Sequence, residues 1–226
     1  PEAEWIDKKK PLDTQTKTFD ALKEMAREGV SYHWGRNSKR KIDLAEYVKI
    51  ANEKYEVYVD IDAANDSTRN KKMYMKDIEL VFNTNRKSMR SRNLGKVVPP
   101  ISTLVKIFLH ARAVYHTGHI YTPRSHDRWE YWHESIAVAD FKYTVAHEIG
   151  HEILQAFGNA IYSYRHKGTS TLSQKTKKGA PPYPVGKEID LMIYYNGNNP
   201  DPYYKIHVAT VKDALNLIWL AKVGIK

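Results

Sequence analysis

Apolar positions are densest between Thr144 and Gly158, where the chain reads TVAHEIGHEILQAFG. They recur at the three- and four-residue spacing of an α-helix and cover most of its circumference, which predicts a largely buried helix that ends at Gly158. The apolar residues are Val145, Ala146, Ile149, Ile153, Leu154, Ala156 and Phe157. We therefore expect the rest of the chain to pack around this helix.

Several shorter patterns precede it. Residues 18–28 have helical spacing that ends at Gly29, and residues 43–54 show a second helical pattern. Residues 55–61 alternate between polar and β-branched or aromatic side chains, which predicts a strand. Residues 73–82 predict another strand and a candidate hairpin partner for the first.

The segments that flank the central helix complete the expected fold. Residues 101–115 predict an amphipathic helix that backs the central one, and residues 119–122 and 129–132 predict strands. Residues 210–222 predict a final helix that Thr210 caps. The fold class is therefore α+β, mainly helical, with a small sheet along a cleft.

Composition limits the partners and the chemistry. The net charge is +10, from 36 basic and 26 acidic residues, which favours an anionic surface or nucleic acid as a partner. There is no cysteine, which excludes disulfides and cysteine-based metal sites. The longest apolar run, residues 215–221, is too short to span a membrane. Residues 1–17 read as a linker or tail and residues 18–226 as a single domain, which we expect to belong to a longer protein.

Within the central helix, residues 147–151 read HEIGH. His147 and His151 are one helical turn apart, so their imidazoles can bind the same ion. Glu148 lies about 100° further round the helix, which suits a general base beside a metal-bound water. A buried helix with two merely structural histidines would need partners for three polar groups. The pattern therefore predicts a Zn²⁺ site with His147 and His151 as ligands and Glu148 as the catalytic residue.

A catalytic zinc usually has three protein ligands. The sequence does not continue with the extended metzincin pattern, in which a glycine and a third histidine follow HExxH. Leu154 and Phe157 occupy those two positions. The remaining candidates are His166, Glu188, Asp190 and His207. Glu188 is the preferred ligand, since acids in an apolar stretch are usually ligating or paired. Asp190 is the second choice; it would otherwise orient a ligating imidazole, cap a helix or form a salt bridge.

Such a site hydrolyses a carbonyl compound by general-base attack of water. Glu148 would pass the water's proton to the leaving amine, and a further donor would stabilise the oxyanion. The candidates for that donor are Tyr164, His166 and Tyr194, and the sequence does not rank them.

The runs HEIGHEILQAFG, YSYRHKGTST and EIDLMIYY, within about residues 143–195, resemble the C-terminal metallopeptidase toxin domain of some VgrG spike proteins of bacterial type VI secretion systems. The resemblance implies a zincin-like fold, with His147, His151 and Glu188 as zinc ligands and Glu148 as the catalytic residue. It also implies an antibacterial effector that is part of a secreted spike protein. Such an effector acts in the periplasm of the target cell, and an immunity protein neutralises it in the producer.

Two other functions remain open at this stage. The same site could be that of a zinc amidase that acts on peptidoglycan, instead of a peptidase with a peptide or protein substrate. The net charge alone would also fit a basic nucleic-acid-binding or nuclease domain, although no motif indicates a specific nucleic acid.

Overall fold

The computed structural model has an α+β fold, as the sequence predicts. The residues it describes are 16–61, 78–82, 92–93, 111–115, 117–122, 128–158, 179–200 and 203–223. Most of the expected tail, residues 1–15, therefore lies outside the described part of the chain.

Helix α1 spans Phe19–Trp34. It begins where the sequence predicts, because the Thr18 hydroxyl accepts a hydrogen bond from the backbone N–H of Ala21 at 3.2 Å. The predicted end at Gly29 is wrong, since the helix continues to Trp34 and is capped by Gly35.

Helix α2 spans Glu134–Gly158 and ends at the predicted glycine. It crosses α1 closely at Gly29, where an added Cβ would lie 2.5 Å from the carbonyl oxygen of Lys142. Glycine at this position permits backbone contact between the helices, which explains why it does not end α1.

The interface between α1 and α2 is the main hydrophobic core. Leu22, Ala26 and Val30 of α1 pack in one cluster with Phe141 and Val145 of α2, and all five are buried. The indole N–H of Trp34 donates to the carbonyl oxygen of Ala146 at 2.9 Å. The helix predicted to be central thus packs against the first helix of the described chain.

The helix predicted over residues 43–54 is wrong. These residues form strand β1 (Val48–Ile50) and most of strand β2 (Glu53–Tyr55), which pair as an antiparallel hairpin. Ala45 and Ala51 have φ angles of 59° and 54°, and neither angle is compatible with an α-helix. The strand predicted over residues 55–61 is only partly present. Tyr55 is the last residue of β2, and Val57 forms an isolated β-bridge with Arg36.

Strand β3 (Ile78–Phe82) confirms the second half of the strand predicted over residues 73–82. It pairs in parallel with β5 (Ala111–Tyr115) and is not the hairpin partner of residues 55–61, so that expectation is wrong. The helix predicted over residues 101–115 is also wrong for 111–115, while 101–110 lie outside the described residues. Ala113, Val114 and Tyr115 are all buried, and a strand covered on both faces has the same continuous apolar pattern as a buried helix.

Strand β4 (Arg92–Asn93) pairs with β5 on its other side, so β5 is the middle strand of this sheet. Strands β6 (Gly118–Thr122) and β7 (Arg128–Trp132) form an antiparallel hairpin, which confirms the two strands predicted just before the central helix. Because β7 leads into α2, this hairpin lies at the start of the helix that carries the histidine pair.

The C-terminal part of the chain packs against the central helix α2. Strand β8 (Ile189–Asp190) pairs in parallel with β9 (His207–Val208), which follows the one-turn helix α3 (Tyr203–Ile206). Helix α4 (Val211–Val223) confirms the last predicted helix, and the Thr210 hydroxyl caps it. None of the helices in the described ranges combines the length and apolarity needed to cross a bilayer.

Candidate functional site

The HEIGH residues lie in the second half of α2 and face the protein interior. His147, Glu148 and His151 are 6%, 6% and 4% exposed. The two imidazole centroids are 5.0 Å apart, with the ring planes at 87°. The described structure therefore brings the two imidazoles together, as their spacing predicts, and it buries Glu148, which lies between them in the sequence.

The orientation of His147 is set by a backbone carbonyl. Its Nδ1 lies 2.7 Å from the carbonyl oxygen of Leu191. A carbonyl oxygen can only accept, so Nδ1 carries the proton and Nε2 keeps its lone pair. Burial lowers the pKa of His147 to about 4, and the bond to Leu191 opposes part of that shift. The imidazole is thus neutral near pH 7, which is the state that binds a metal.

Leu191 is itself held in place by the short parallel sheet. Its backbone N–H donates to the carbonyl oxygen of Val208 at 2.9 Å, directly after β8. The Asp190 carboxylate accepts a hydrogen bond from the N–H of Met192 at 2.8 Å and so closes a tight turn around Leu191. The carbonyl that orients His147 therefore projects from a turn that is fixed on both sides.

Gly150 brings this turn close to the helix. An added Cβ there would lie 2.5 Å from Met192 Sδ and 3.0 Å from Trp34 Cζ2. Met192 and Trp34 are both buried. Glycine inside the HEIGH sequence thus lets the turn and α1 pack directly against the helix between its two histidines.

The proposed third ligand has a cationic partner. Glu188 Oε2 lies 2.8 Å from a guanidinium N–H group of Arg36, and the Glu188 side chain is one-third exposed. Across the described ranges, no three His, Cys, Asp or Glu side chains are grouped closely enough to hold a metal. The structure therefore does not gather Glu188 or Asp190 with the histidine pair, and His166 lies outside the described residues.

His207, another ligand candidate, is buried in a cluster of tyrosines. Its Nδ1 lies 2.8 Å from the carbonyl oxygen of Tyr203, and its ring lies 4.7 Å from that of Tyr143. Tyr143 also contacts His147, with ring centroids 5.9 Å apart. His207 thus lies beside the site, with Tyr143 in contact with both histidines.

Tyr194 is the candidate oxyanion donor that the structure describes, since Tyr164 and His166 lie outside the described residues. Its ring is nearly parallel to that of His147, at 10° and with 6.2 Å between centroids. The side chain is 36% exposed, whereas the histidine is buried. Tyr194 therefore contacts His147 and is partly accessible to solvent.

Three features of the site had no clear signature in the sequence. They are the Leu191 carbonyl, the contact of Met192 with Gly150, and the guanidinium of Arg36. A backbone acceptor carries no residue signal, and Arg36 lies in a basic loop where every residue looks equally solvated. Tyr143 had a weak signal, because it precedes His147 by four residues and so lies on the same helix face.

The histidine pair fits a zinc ion in the chemistry of its donors, and His147 also fits in tautomer, while the described residues place no third ligand beside the pair. A ligating histidine commonly donates its other ring N–H to a backbone carbonyl, as His147 does to Leu191. Neutral imidazole is a preferred ligand for zinc, and a buried carboxylate follows directly in the sequence at Glu148. No protein-family model, curated protein or solved structure matches this chain.

Proposed function

We propose that this domain is a zinc-dependent metallopeptidase. One observation carries the proposal: His147 and His151 are buried one turn apart, and the Leu191 carbonyl holds His147 in the tautomer that leaves Nε2 for a metal. His33 and His207 also place Nδ1 on a backbone carbonyl, so the feature that distinguishes His147 is the second imidazole one helical turn away, with its ring centroid 5.0 Å from that of His147. A ligating histidine commonly has such a carbonyl partner as well.

Glu188 is proposed as the third ligand. The described structure pairs its carboxylate with Arg36 and does not group it with the histidine pair, so the proposal rests on the position of Glu188 beside β8, whose following residue orients His147. Asp190 is the alternative, because it precedes the turn whose carbonyl orients His147. Two imidazoles and one carboxylate would leave a coordination position for water, which a catalytic site requires.

A bound zinc ion would supply Lewis-acid chemistry, lowering the pKa of a water molecule and polarising the substrate carbonyl. Glu148 is proposed to take the proton of the attacking water and transfer it to the leaving amine. Its burial suits this role, because a base shielded from bulk water transfers its proton to the substrate.

Tyr194 is proposed as the donor to the developing oxyanion. Its ring is nearly parallel to that of His147 and its side chain is partly exposed, so a substrate that approaches the histidine pair can contact it. A phenol that donates to an oxyanion contributes mainly in the transition state. Removing only the hydroxyl should therefore lower kcat more than it raises KM.

The resemblance to VgrG toxin domains extends the proposal to biology. The domain would be an antibacterial type VI secretion effector that cleaves a peptide or protein substrate in the target periplasm. A cognate immunity protein would protect the producer. The net charge of +10 supports action at the anionic bacterial envelope.

A test of the proposal combines zinc analysis with toxicity. The wild-type domain should bind one zinc per chain and harm a Gram-negative host when a signal peptide directs it to the periplasm. Glu148→Gln should retain the zinc and abolish the harm, because only the base is removed. Equal toxicity of the two forms would refute the enzymatic role.

The same test separates the alternatives. Release of peptidoglycan fragments without protein cleavage would assign the site to an amidase. DNA cleavage, or binding to DNA that weakens steeply with salt, would favour a nucleic-acid function. Toxicity from the cytoplasm equal to that from the periplasm would refute the proposed location.

A further inference from the structure

Four side chains at the end of α1 and in the loop after it bind the segment of residues 203–209. We call them the α1 brace; they are Tyr32, His33, Arg36 and Arg40. They donate to backbone carbonyl oxygens of the segment, and the N–H of Ala209 donates back to the His33 carbonyl oxygen at 2.7 Å. The segment contains β9, on which β8 pairs.

Within the α1 brace, Arg36 alone also reaches the chain segment that leads into β8. One terminal nitrogen donates to the Ala209 carbonyl oxygen at 2.9 Å, and the other donates to Glu188 Oε2 at 2.8 Å. Its Nε donates to the Tyr47 carbonyl oxygen at 3.2 Å. The Arg36 side chain is 5% exposed, while that of its partner Glu188 is 33% exposed.

These contacts connect Arg36 to the histidine pair through named atoms. Glu188 directly precedes β8, and Ala209 directly follows β9. Between them, the Leu191 N–H donates to the Val208 carbonyl oxygen, and the Leu191 carbonyl oxygen accepts from His147 Nδ1. A shift of β8 relative to β9 would therefore move the acceptor that orients the imidazole.

We propose that Arg36 is a positioning residue for the metal site: by joining Glu188 to Ala209 it fixes β8 on β9, and so fixes the Leu191 carbonyl that holds the His147 tautomer. The inference rests on the proposed zinc function for its consequence, but the positioning of His147 is independent of zinc. Arginine is required, because its planar fork can donate in three divergent directions and a lysine ammonium cannot match that geometry.

The test compares three variants with the wild-type domain. Arg36→Lys keeps the positive charge but loses the planar guanidinium that donates to three acceptors. Val30→Ala creates a small defect in the α1–α2 core, where Val30 is 1% exposed, and controls for general destabilisation. Glu188→Ala removes one arm of the contact and provides a second test if Arg36→Lys does not fold.

The first measurement is the tautomer of His147 in the zinc-free protein near pH 7.5, read from imidazole nitrogen shifts in long-range ¹H–¹⁵N spectra. The wild type and Val30→Ala should show the Nδ1–H form alone. Arg36→Lys should show a mixture of tautomers, and Glu188→Ala should shift in the same direction. An unchanged Nδ1–H form in the folded Arg36 or Glu188 variant would overturn the proposal.

The second measurement is zinc affinity by competition with a chelator. Arg36→Lys should bind zinc about 10- to 100-fold more weakly than the wild type, which is typical for loss of a group that supports a ligand. Val30→Ala should stay within about threefold, since it leaves those supporting groups in place. Suppose that the wild type binds no zinc but Arg36→Lys no longer shows the Nδ1–H form of His147 alone. The metallopeptidase proposal then fails and the positioning role of Arg36 stands. If the wild type binds zinc and Arg36→Lys binds it equally, the positioning role fails and the peptidase proposal stands.

Discussion

The substitution Gly150→Ala tests whether the turn after β8 is packed tightly on helix α2. An exposed glycine inside a helix gains about 1 kcal/mol when it is replaced by alanine. At this position the new Cβ would lie 2.5 Å from Met192 Sδ and 3.0 Å from Trp34 Cζ2, so a buried side chain has to move. Overpacking of that kind costs about 1–3 kcal/mol. We expect a net loss of roughly 0–2 kcal/mol instead of a gain.

The assay is urea unfolding of Gly150→Ala, Met192→Ala and the double variant. Met192→Ala alone should cost about 2–5 kcal/mol, because a buried side chain is truncated. The methyl group that Gly150→Ala adds would occupy part of that space, so the double variant should be more stable than the sum of the single effects by about 1–2 kcal/mol. A pair of exposed variants in α1, Glu24→Ala and Glu24→Gly, calibrates the intrinsic difference between alanine and glycine.

Two results would refute this reasoning. A stabilisation by Gly150→Ala equal to the calibrated helix preference would show that no atom opposes the new methyl. Additive effects in the double variant would show that this methyl and the Met192 side chain do not share space. If the contact is real, zinc affinity should also fall in Gly150→Ala, since Met192 directly follows the residue whose carbonyl orients His147.

Three further predictions concern the ligands, the oxyanion and acid stability. Glu188→Gln should weaken zinc binding measured against a chelator, whereas an equal loss confined to Asp190→Asn would assign the third ligand to the aspartate. Tyr194→Phe should lower kcat on a peptide substrate about 10²- to 10³-fold with little change in KM, and an unchanged kcat would exclude its hydroxyl from the reaction. Burial lowers the pKa of His33 from 6.5 to about 3, so its stabilising contribution is complete above pH 6.5 and is lost as the pH falls from 6.5 to about 3, by about 5 kcal/mol in total and about 3 kcal/mol by pH 4. Urea unfolding at pH 7 and pH 5 should therefore show a smaller acid loss for His33→Asn than for the wild type.

The central helix was predictable because its information is local. The apolar spacing, the histidine pair one turn apart and the ending at Gly158 all lie within one stretch of sequence, and the structure places them in one helix. The last helix was predictable for the same reason, since the Thr210 hydroxyl that starts it directly precedes its first residue.

The elements that sequence reasoning missed are decided by distant contacts. Val48 is buried against Ala214 and Val211 of α4, which favours a hairpin where the local spacing also fits a helix. The three consecutive buried residues of β5 have no periodicity that separates a strand from a helix. Glu188 was selected as an acid in an apolar stretch, but its partner Arg36 lies 152 residues earlier, and no local pattern reveals that pairing.

The contacts between the α1 brace and residues 203–209 have a consequence for synthesis of the protein. The hydrogen bond from His33 to the His207 carbonyl joins residues that are 174 positions apart. A ribosome makes α1 early and this segment late, so the carbonyl that orients His147 cannot be fixed until nearly all of the described chain has emerged. Nascent or prematurely terminated chains that lack residues 203–209 would therefore carry both histidines without the contacts that hold the Leu191 carbonyl on His147.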